Sequence, residues 1–299
     1  VCPGKEAKNS SAGKGTALKK LIAMHQLRAV GKDHFCAEEF EDTGLNRLFG
    51  GQLLAQTVHA ASRTVPEQMV LHSLHGYFLN MGRLDAPVHF RVTRLRDGRR
   101  YIARQVQLQQ REKVLAEMLL SFHEPEPDVF VHQCPMPEVA GPKGLPPDSE
   151  LFYEEMLAYG INAEDAWPME FRQEDPVLTP GKAAPPRSRA WFRAALETLD
   201  EKASPACHME LLAYASDNLV LVPALRPHGL SEWDISVRLM SLDHALWVHR
   251  PCRVDEWLLF EAESDWAGSG RAFGRGRIFG QDGTLVASVA QEGVFRAGR

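Results

Sequence analysis

The chain has 299 residues, 44% of them hydrophobic and 24% charged, with a formal net charge of −5. That length can bury a large core as one big domain or two medium ones, and the mild acidity offers no overall positive field to nucleic acid or anionic lipid. No run approaches the roughly 18 consecutive apolar residues that a membrane-spanning helix needs, so membrane insertion is not expected. Cys2, Cys36, Cys134, Cys207 and Cys252 are scattered, with no CxxC pair, which argues against a disulfide framework and against a cysteine-rich zinc site. The twelve histidines contain no HExxH, and neither a metal nor another cofactor is expected.

Residues 1–16 are rich in Lys, Ser and Gly, lack an apolar signal core, and read as a mobile tail. Apolar spacing then predicts a helix over 17–30. The stretch "LFGGQLLAQTVHAASRTV" (48–65) opens on two glycines and continues with small and apolar residues, so its helix must be enclosed. Strand-like runs follow at 69–80, 86–110 and 113–123, with "RDG" and "QREK" as tight turns. Residues 17–123 therefore form a first half, a buried helix followed by an antiparallel meander. From 124 to 187 the chain is dense in proline and glycine, which reads as a long surface connection around one short helical patch.

The first pattern then returns over 188–299. "RAWFRAAL" is strand-like, "HMELLAYASDNLVLVPAL" (208–225) is a second largely apolar helix, and four strand-like runs complete the half. "LHSLHGYFL" (71–79) reappears as "SLDHALWVH" (241–249), about 169 residues on, and "QDG" (281–283) turns where "QREK" did. Two repeats of this size are too few for a solenoid and predict paired α+β units whose sheets join side by side, removing two exposed edges. The offset places His75 and His244 at equivalent positions, which argues for a shared structural role.

Asp217 is the only acidic or basic residue within "LLAYASDNLVLVPAL" (211–225), so burying it requires partners. Its two readings are a tuned base and a solvated helix cap. Alternation along "LVASVAQEGVFR" puts Gln291 on the face of Val289 and Ala287, where its amide needs partners too; a strand residue near a bulge at Gly293 is the bland reading. Ser241 gains meaning only if the fold brings it to these two. There is no GxSxG elbow and no GxGxxG, so Gly50 and Gly51 suggest ligand passage or helix packing. The arginines of "RLRDGRR", Arg99 and Arg100 among them, and Arg271, Arg275 and Arg277 on the matching hairpin are candidates for phosphate, or merely solvated charges. Leu53, Leu54 and Phe78 are candidate walls of an apolar slot.

The phrases "LFGGQLLAQ", "LHSLHGYFL", "RDGRRYIARQV", "YASDN", "LRPHG", "SLDHALWVHRP" and "QDGTLVASVAQEGVFR", in this order, resemble the acyl-CoA thioesterase II family across about residues 45–296. The resemblance implies an α+β double hotdog, two antiparallel sheets each wrapped around a long central helix. It implies hydrolysis of medium- to long-chain fatty acyl-CoA to fatty acid and CoA, without metal or covalent intermediate. It also implies a catalytic set of Asp217, Ser241 and Gln291, with Ser241 standing where Thr is usual in bacterial members. Gly50, Gly51, Arg99, Arg100 and Arg275 are the expected substrate-binding residues, acyl-CoA the expected partner, and a homodimer or homotetramer the expected assembly. A non-catalytic acyl-CoA binder or sensor and a hotdog enoyl-CoA hydratase remain alternatives. The C-terminal "AGR" is not an SKL-type address, which favours a cytoplasmic over a peroxisomal location.

Overall fold

The computed structural model describes residues 11–43, 46–158, 168–177, 181–194, 204–234 and 236–298. In chain order the first half contains α1 (Ser11–His25), β1 (Arg28–Gly31), β2 (His34–Ala37), α2 (Gly50–Ser62), β3 (Val70–Phe78), β4 (Val88–Asp97), β5 (Tyr101–Gln110) and β6 (Lys113–His123). Then come α3 (Asp148–Leu151), α4 (Tyr153–Ala158), β7 (Met169–Gln173), β8 (Arg187–Ala194), α5 (Pro205–Leu219), β9 (Val237–Ser241), β10 (Asp243–Val248), β11 (Leu258–Gly268), β12 (Arg271–Gly280) and β13 (Leu285–Ala297). Among the described residues, no helix is long and apolar enough to cross a membrane.

All strands join one antiparallel sheet in the order β1-β2-β4-β5-β6-β3-β10-β13-β12-β11-β8-β7, with β9 attached to β13. Read inward from either edge, the two halves have the same strand order. They meet where β3 pairs with β10, Leu74 opposite Leu246 and Gly76 opposite His244. The seam gives each half a neighbour for a strand that would otherwise be an exposed edge. Helices α2 and α5 are the two central helices of the expected double hotdog. Every residue of α2 from Gly51 to Ala61 is buried, as its lack of polar surface requires. The helices pack closely enough that a β-carbon on Gly51 would sit 2.5 Å from the Tyr214 carbonyl oxygen, so only glycine fits. Ser204 caps α5 by accepting from the Cys207 amide at 3.2 Å, and Pro205 occupies the first turn, where no donor is lost.

Several boundaries differ from expectation. Helix α1 begins at Ser11, inside the segment read as a tail, whose residues 1–10 lie outside the described residues. It stops at His25 rather than running to residue 30. The apolar residues after it belong to a strand pair closed by Asp33 at φ 52. The proline-rich connection contains β7, whose "MEFRQ" alternates buried and half-buried residues and pairs with β8 alone, at the sheet edge. The helix expected over 208–225 ends at Leu219 and gives way to 3-10 turns at Val222–Ala224 and Arg226–His228, closed by Gly229 at φ 68.

The repeat offset is also corrected. Phe90 pairs with Leu108 and Phe260 with Ile278, so "GRLDAPVHF" (82–90) superposes on "CRVDEWLLF" (252–260) at 170 residues, not 169. A slip of one residue reverses every side chain in a strand. His75 therefore faces outward, edge-on to the Trp247 ring at 4.7 Å between centroids, whereas His244 points inward and is 1% exposed. The two histidines are not equivalent, and the shared role expected of them is absent. The true counterpart of His244 is Leu74.

Candidate active site

Asp217 lies two residues from the end of α5, where the helix dipole disfavours negative charge. Its carboxylate reaches the start of α2, where the dipole favours it: a β-carbon on Gly50 would come within 2.6 Å of Asp217 Oδ2. Glycine at residue 50 is what admits the carboxylate to that helix end. The first amides of α2 have no intrahelical acceptor, and its cap residue Phe49 offers no side-chain hydrogen bond. The Asp217 side chain is only 4% exposed and so depends on local partners.

Those partners come from β9, β10 and β13. Alternation along β13 puts Ala287, Val289 and Gln291 inside. Residues 237–241 pair with 293–297 and residues 245–248 with 287–290, so the segment around Leu242 carries one residue more than β13 opposite it. This bulge lets Ser241 and His244, three apart, turn to the same interior site, which unbroken alternation forbids. Ser241 Oγ donates to Asp217 Oδ1 at 3.2 Å, and Gln291 Nε2 donates to Ser241 Oγ at 2.7 Å. The structure thus brings together all three residues singled out in the sequence.

The chain of contacts extends further. Gln291 Oε1 is hydrogen-bonded to His244 Nδ1, and His244 Nε2 lies 2.9 Å from Ser216 Oγ. Burial pushes the His244 imidazole below its ordinary pKa, while Asp217 and Gln291 act in the opposite sense. Sequence reading missed Ser216 and His244 as members of the site. Position −1 to Asp217 was the available signal for Ser216, and none marked His244 once the offset was misjudged.

A cavity of about 370 Å³ opens onto the trio. Asp217, Ser241 and Gln291 lie on its wall with Gly50, Leu53 and Phe78, and Arg47 supplies a cation there. Leu54 is fully buried beside the cavity instead of lining it, and Gly51 serves the helix contact. Arg99, Arg100 and Arg275 are not among its lining residues. They stand on exposed hairpins, where Arg100 meets Glu126 at 2.9 Å and Arg275 meets Glu263 at 2.9 Å and Asp265 at 3.0 Å. Glu232, also on the cavity wall, accepts from Gln173 Nε2 at 2.7 Å, and the same amide nitrogen donates to buried Asp148 at 2.9 Å. Burial, with Glu232 nearby, raises the Asp148 carboxyl to about 7 despite the opposing bonds from Gln173. Nothing in the sequence linked these three distant positions.

A carboxylate, a hydroxyl and an amide in one hydrogen-bonded row, ending beside the unpartnered first amides of α2 on a cavity wall, can hold and deprotonate one water beside an electrophilic carbonyl. Comparison with known proteins agrees in kind. The model of an acyl-CoA thioesterase N-terminal domain matches residues 38–123, and that of an acyl-CoA thioesterase C-terminal domain matches residues 142–295. The second match begins inside the segment read as a connection. Acyl-coenzyme A thioesterase 8 of Mus musculus is 36% identical over 92% of this chain and 88% of its own length. Acyl-CoA thioesterase 2 of Haemophilus influenzae is 33% identical, covering 93% and 98%. Among solved structures, an acyl-CoA thioesterase II from Mycobacterium marinum superposes with a TM-score of 0.75 at 33% identity, over 94% of this chain and 99% of that one.

Proposed function

Since the chain belongs to the acyl-CoA thioesterase family and is a thioester hydrolase, we propose that it cleaves medium- to long-chain fatty acyl-CoA by direct attack of a water activated by Asp217. The observation that carries this reading is the row Gln291–Ser241–Asp217 ending at the start of α2. Asp217 Oδ1 is engaged by Ser241, and Oδ2, on the Gly50 side, takes a proton from water. The resulting hydroxide adds to the thioester carbonyl carbon, and the oxyanion is held by the free amides at the head of α2. Collapse of the tetrahedral intermediate breaks the C–S bond; the CoA thiolate leaves and recovers the proton from Asp217. No serine or cysteine is acylated. Leu53, Phe78 and Met240 supply an apolar wall for the acyl chain, and this supports a preference for medium and long chains. Assembly as a homodimer or homotetramer is part of the same reading, supported by Tyr77, Leu119 and Trp247 exposed on the outer face of the central strands.

A single-turnover experiment in 18O-water, with enzyme in excess over palmitoyl-CoA, tests the chemistry. Direct attack puts one 18O into the fatty acid in the first turnover. An unlabelled first-turnover product would mean that a protein carboxylate had attacked, and would overturn the mechanism. Turnover confined to short-chain thioesters would overturn the chain-length reading.

A further inference from the structure

We propose, resting on the thioesterase reading, that His244 is a positioning residue that carries its proton on Nδ1 and donates it to Gln291 Oε1, fixing which end of that amide faces Ser241. The argument starts from the carboxylate. Ionised Asp217 only accepts, so the single hydroxyl proton of Ser241 must point to Asp217 Oδ1, 3.2 Å away. Ser241 Oγ is then free to accept, and Gln291 must present Nε2 to it, at 2.7 Å. That turns Gln291 Oε1 toward His244 Nδ1, and two acceptors cannot share the contact, so Nδ1 carries hydrogen. In the neutral ring Nε2 is then bare, and Ser216 Oγ, 2.9 Å away, divides its one hydroxyl proton between Nε2 and the Ala213 carbonyl oxygen at 2.8 Å. From His244 through Gln291 to Ser241, each donor points toward Asp217.

The reverse arrangement is the one that His244 excludes. With its proton on Nε2, the ring would accept at Nδ1, and Gln291 would turn Nε2 to it and Oε1 to Ser241. The Ser241 proton would leave the carboxylate for the amide oxygen. Asp217 Oδ1 would then face a lone pair, and the base would lose the contact that orients it.

The N-terminal half provides an independent observation. Leu74 holds the place of His244, and its β6 partner Leu120 holds that of Gln291. Leu71 stands for Ser241 at the same 170-residue offset, and Val58 stands for Ser216 when "LLA" at 53–55 is laid on "LLA" at 211–213. All four are buried, at 0%, 2%, 5% and 0% exposure respectively. The fold fills this position with leucine when no chemistry is present, so packing alone does not call for an imidazole.

Three variants separate positioning from packing. The amide nitrogen of an asparagine can occupy the place of Nδ1, whereas a glutamine reaches the place of Nε2 and a leucine supplies neither donor. With palmitoyl-CoA, His244→Asn should stay within about tenfold of the wild-type kcat, while His244→Gln and His244→Leu should lose about 100-fold in kcat at unchanged KM. A His244→Leu enzyme with wild-type kcat, or a glutamine variant as active as the asparagine one, would overturn the proposal. Should the variants fail to fold, 15N NMR of wild-type protein labelled at its histidine rings decides by itself. A protonated Nδ1 and a bare Nε2 are expected for His244, and the opposite tautomer overturns the assignment. Loss of the thioesterase reading shows differently, as absence of CoA release from the wild type, and leaves the tautomer measurement standing.

Discussion

At the inner face of the N-terminal half, Leu71, Leu74 and Leu120 stand where the C-terminal half has Ser241, His244 and Gln291. On the central helices, Val58 and His59 stand where Ser216 and Asp217 do. His59 is bound up in a buried pair with Glu210 of the opposite helix, at 2.9 Å, and takes no part in the cavity wall. Two halves with one strand order thus share a framework and differ in a handful of interior side chains. The apolar half reports what the framework needs to stand. What the other half adds to it is there for the reaction.

The largest expected contrast lies at the helix pair. Asp217→Asn should lower kcat by about 1,000-fold while leaving the thermal midpoint unchanged or higher, because it removes a buried charge. Its counterpart His59→Leu should do the reverse. The rate survives, but Glu210 is stranded, and denaturant melts should show a loss of roughly 3–5 kcal/mol. If His59→Leu silenced the enzyme without destabilising it, the division between the halves would be wrong.

A smaller and sharper contrast comes from exchanging strand residues. Gln291→Leu should slow turnover about 100-fold with no loss of stability, since leucine already packs at the equivalent place. Leu120→Gln should leave turnover intact and destabilise the protein by roughly 1–3 kcal/mol, the penalty for a buried amide without partners. Steady-state kinetics and urea melts on the two proteins decide between these outcomes.

The smallest effect concerns the polar cluster of Asp148, Gln173 and Glu232. Strand β1, the counterpart of the strand that carries Gln173, is exposed along its length. Asp148 has a folded pKa of about 7 against 3.8 for an ordinary aspartate, so the fold binds a proton that the unfolded chain has released. Its favourable contribution is complete below the lower value and is lost as pH rises through 7, at most a few kcal/mol in all, since each pKa unit is about 1.4 kcal/mol. The wild type should therefore become easier to melt between pH 5 and pH 8, and Asp148→Asn should flatten that slope. An equal slope in both proteins would remove the cluster from this account.

Much of this was legible in the sequence. Long periodic runs and repeated phrases outlined both halves, and matched motifs pointed to Asp217, Ser241 and Gln291. What escaped has physical causes. The phrases around His75 and His244 each carry a histidine, but one residue out of step, so matching them set the offset at 169 instead of 170 and His244 looked like a twin of His75. The short edge strand β7 lies among prolines and makes hydrogen bonds on one side only, which leaves little pattern to read. Contacts such as Gln173 with Glu232, 59 residues apart, are made by the tertiary fold and leave no local trace.

Gly50 belongs to one unit and Asp217 to the other, so each reactive centre in such a pair is assembled from both. Had the two units been separate but identical chains related by a twofold axis, any substitution in one centre would have been copied into its mate. Covalent fusion lifts that constraint. A single polypeptide can let one centre turn to wax and keep the other at work, and the leucines of the silent side are what such freedom leaves behind.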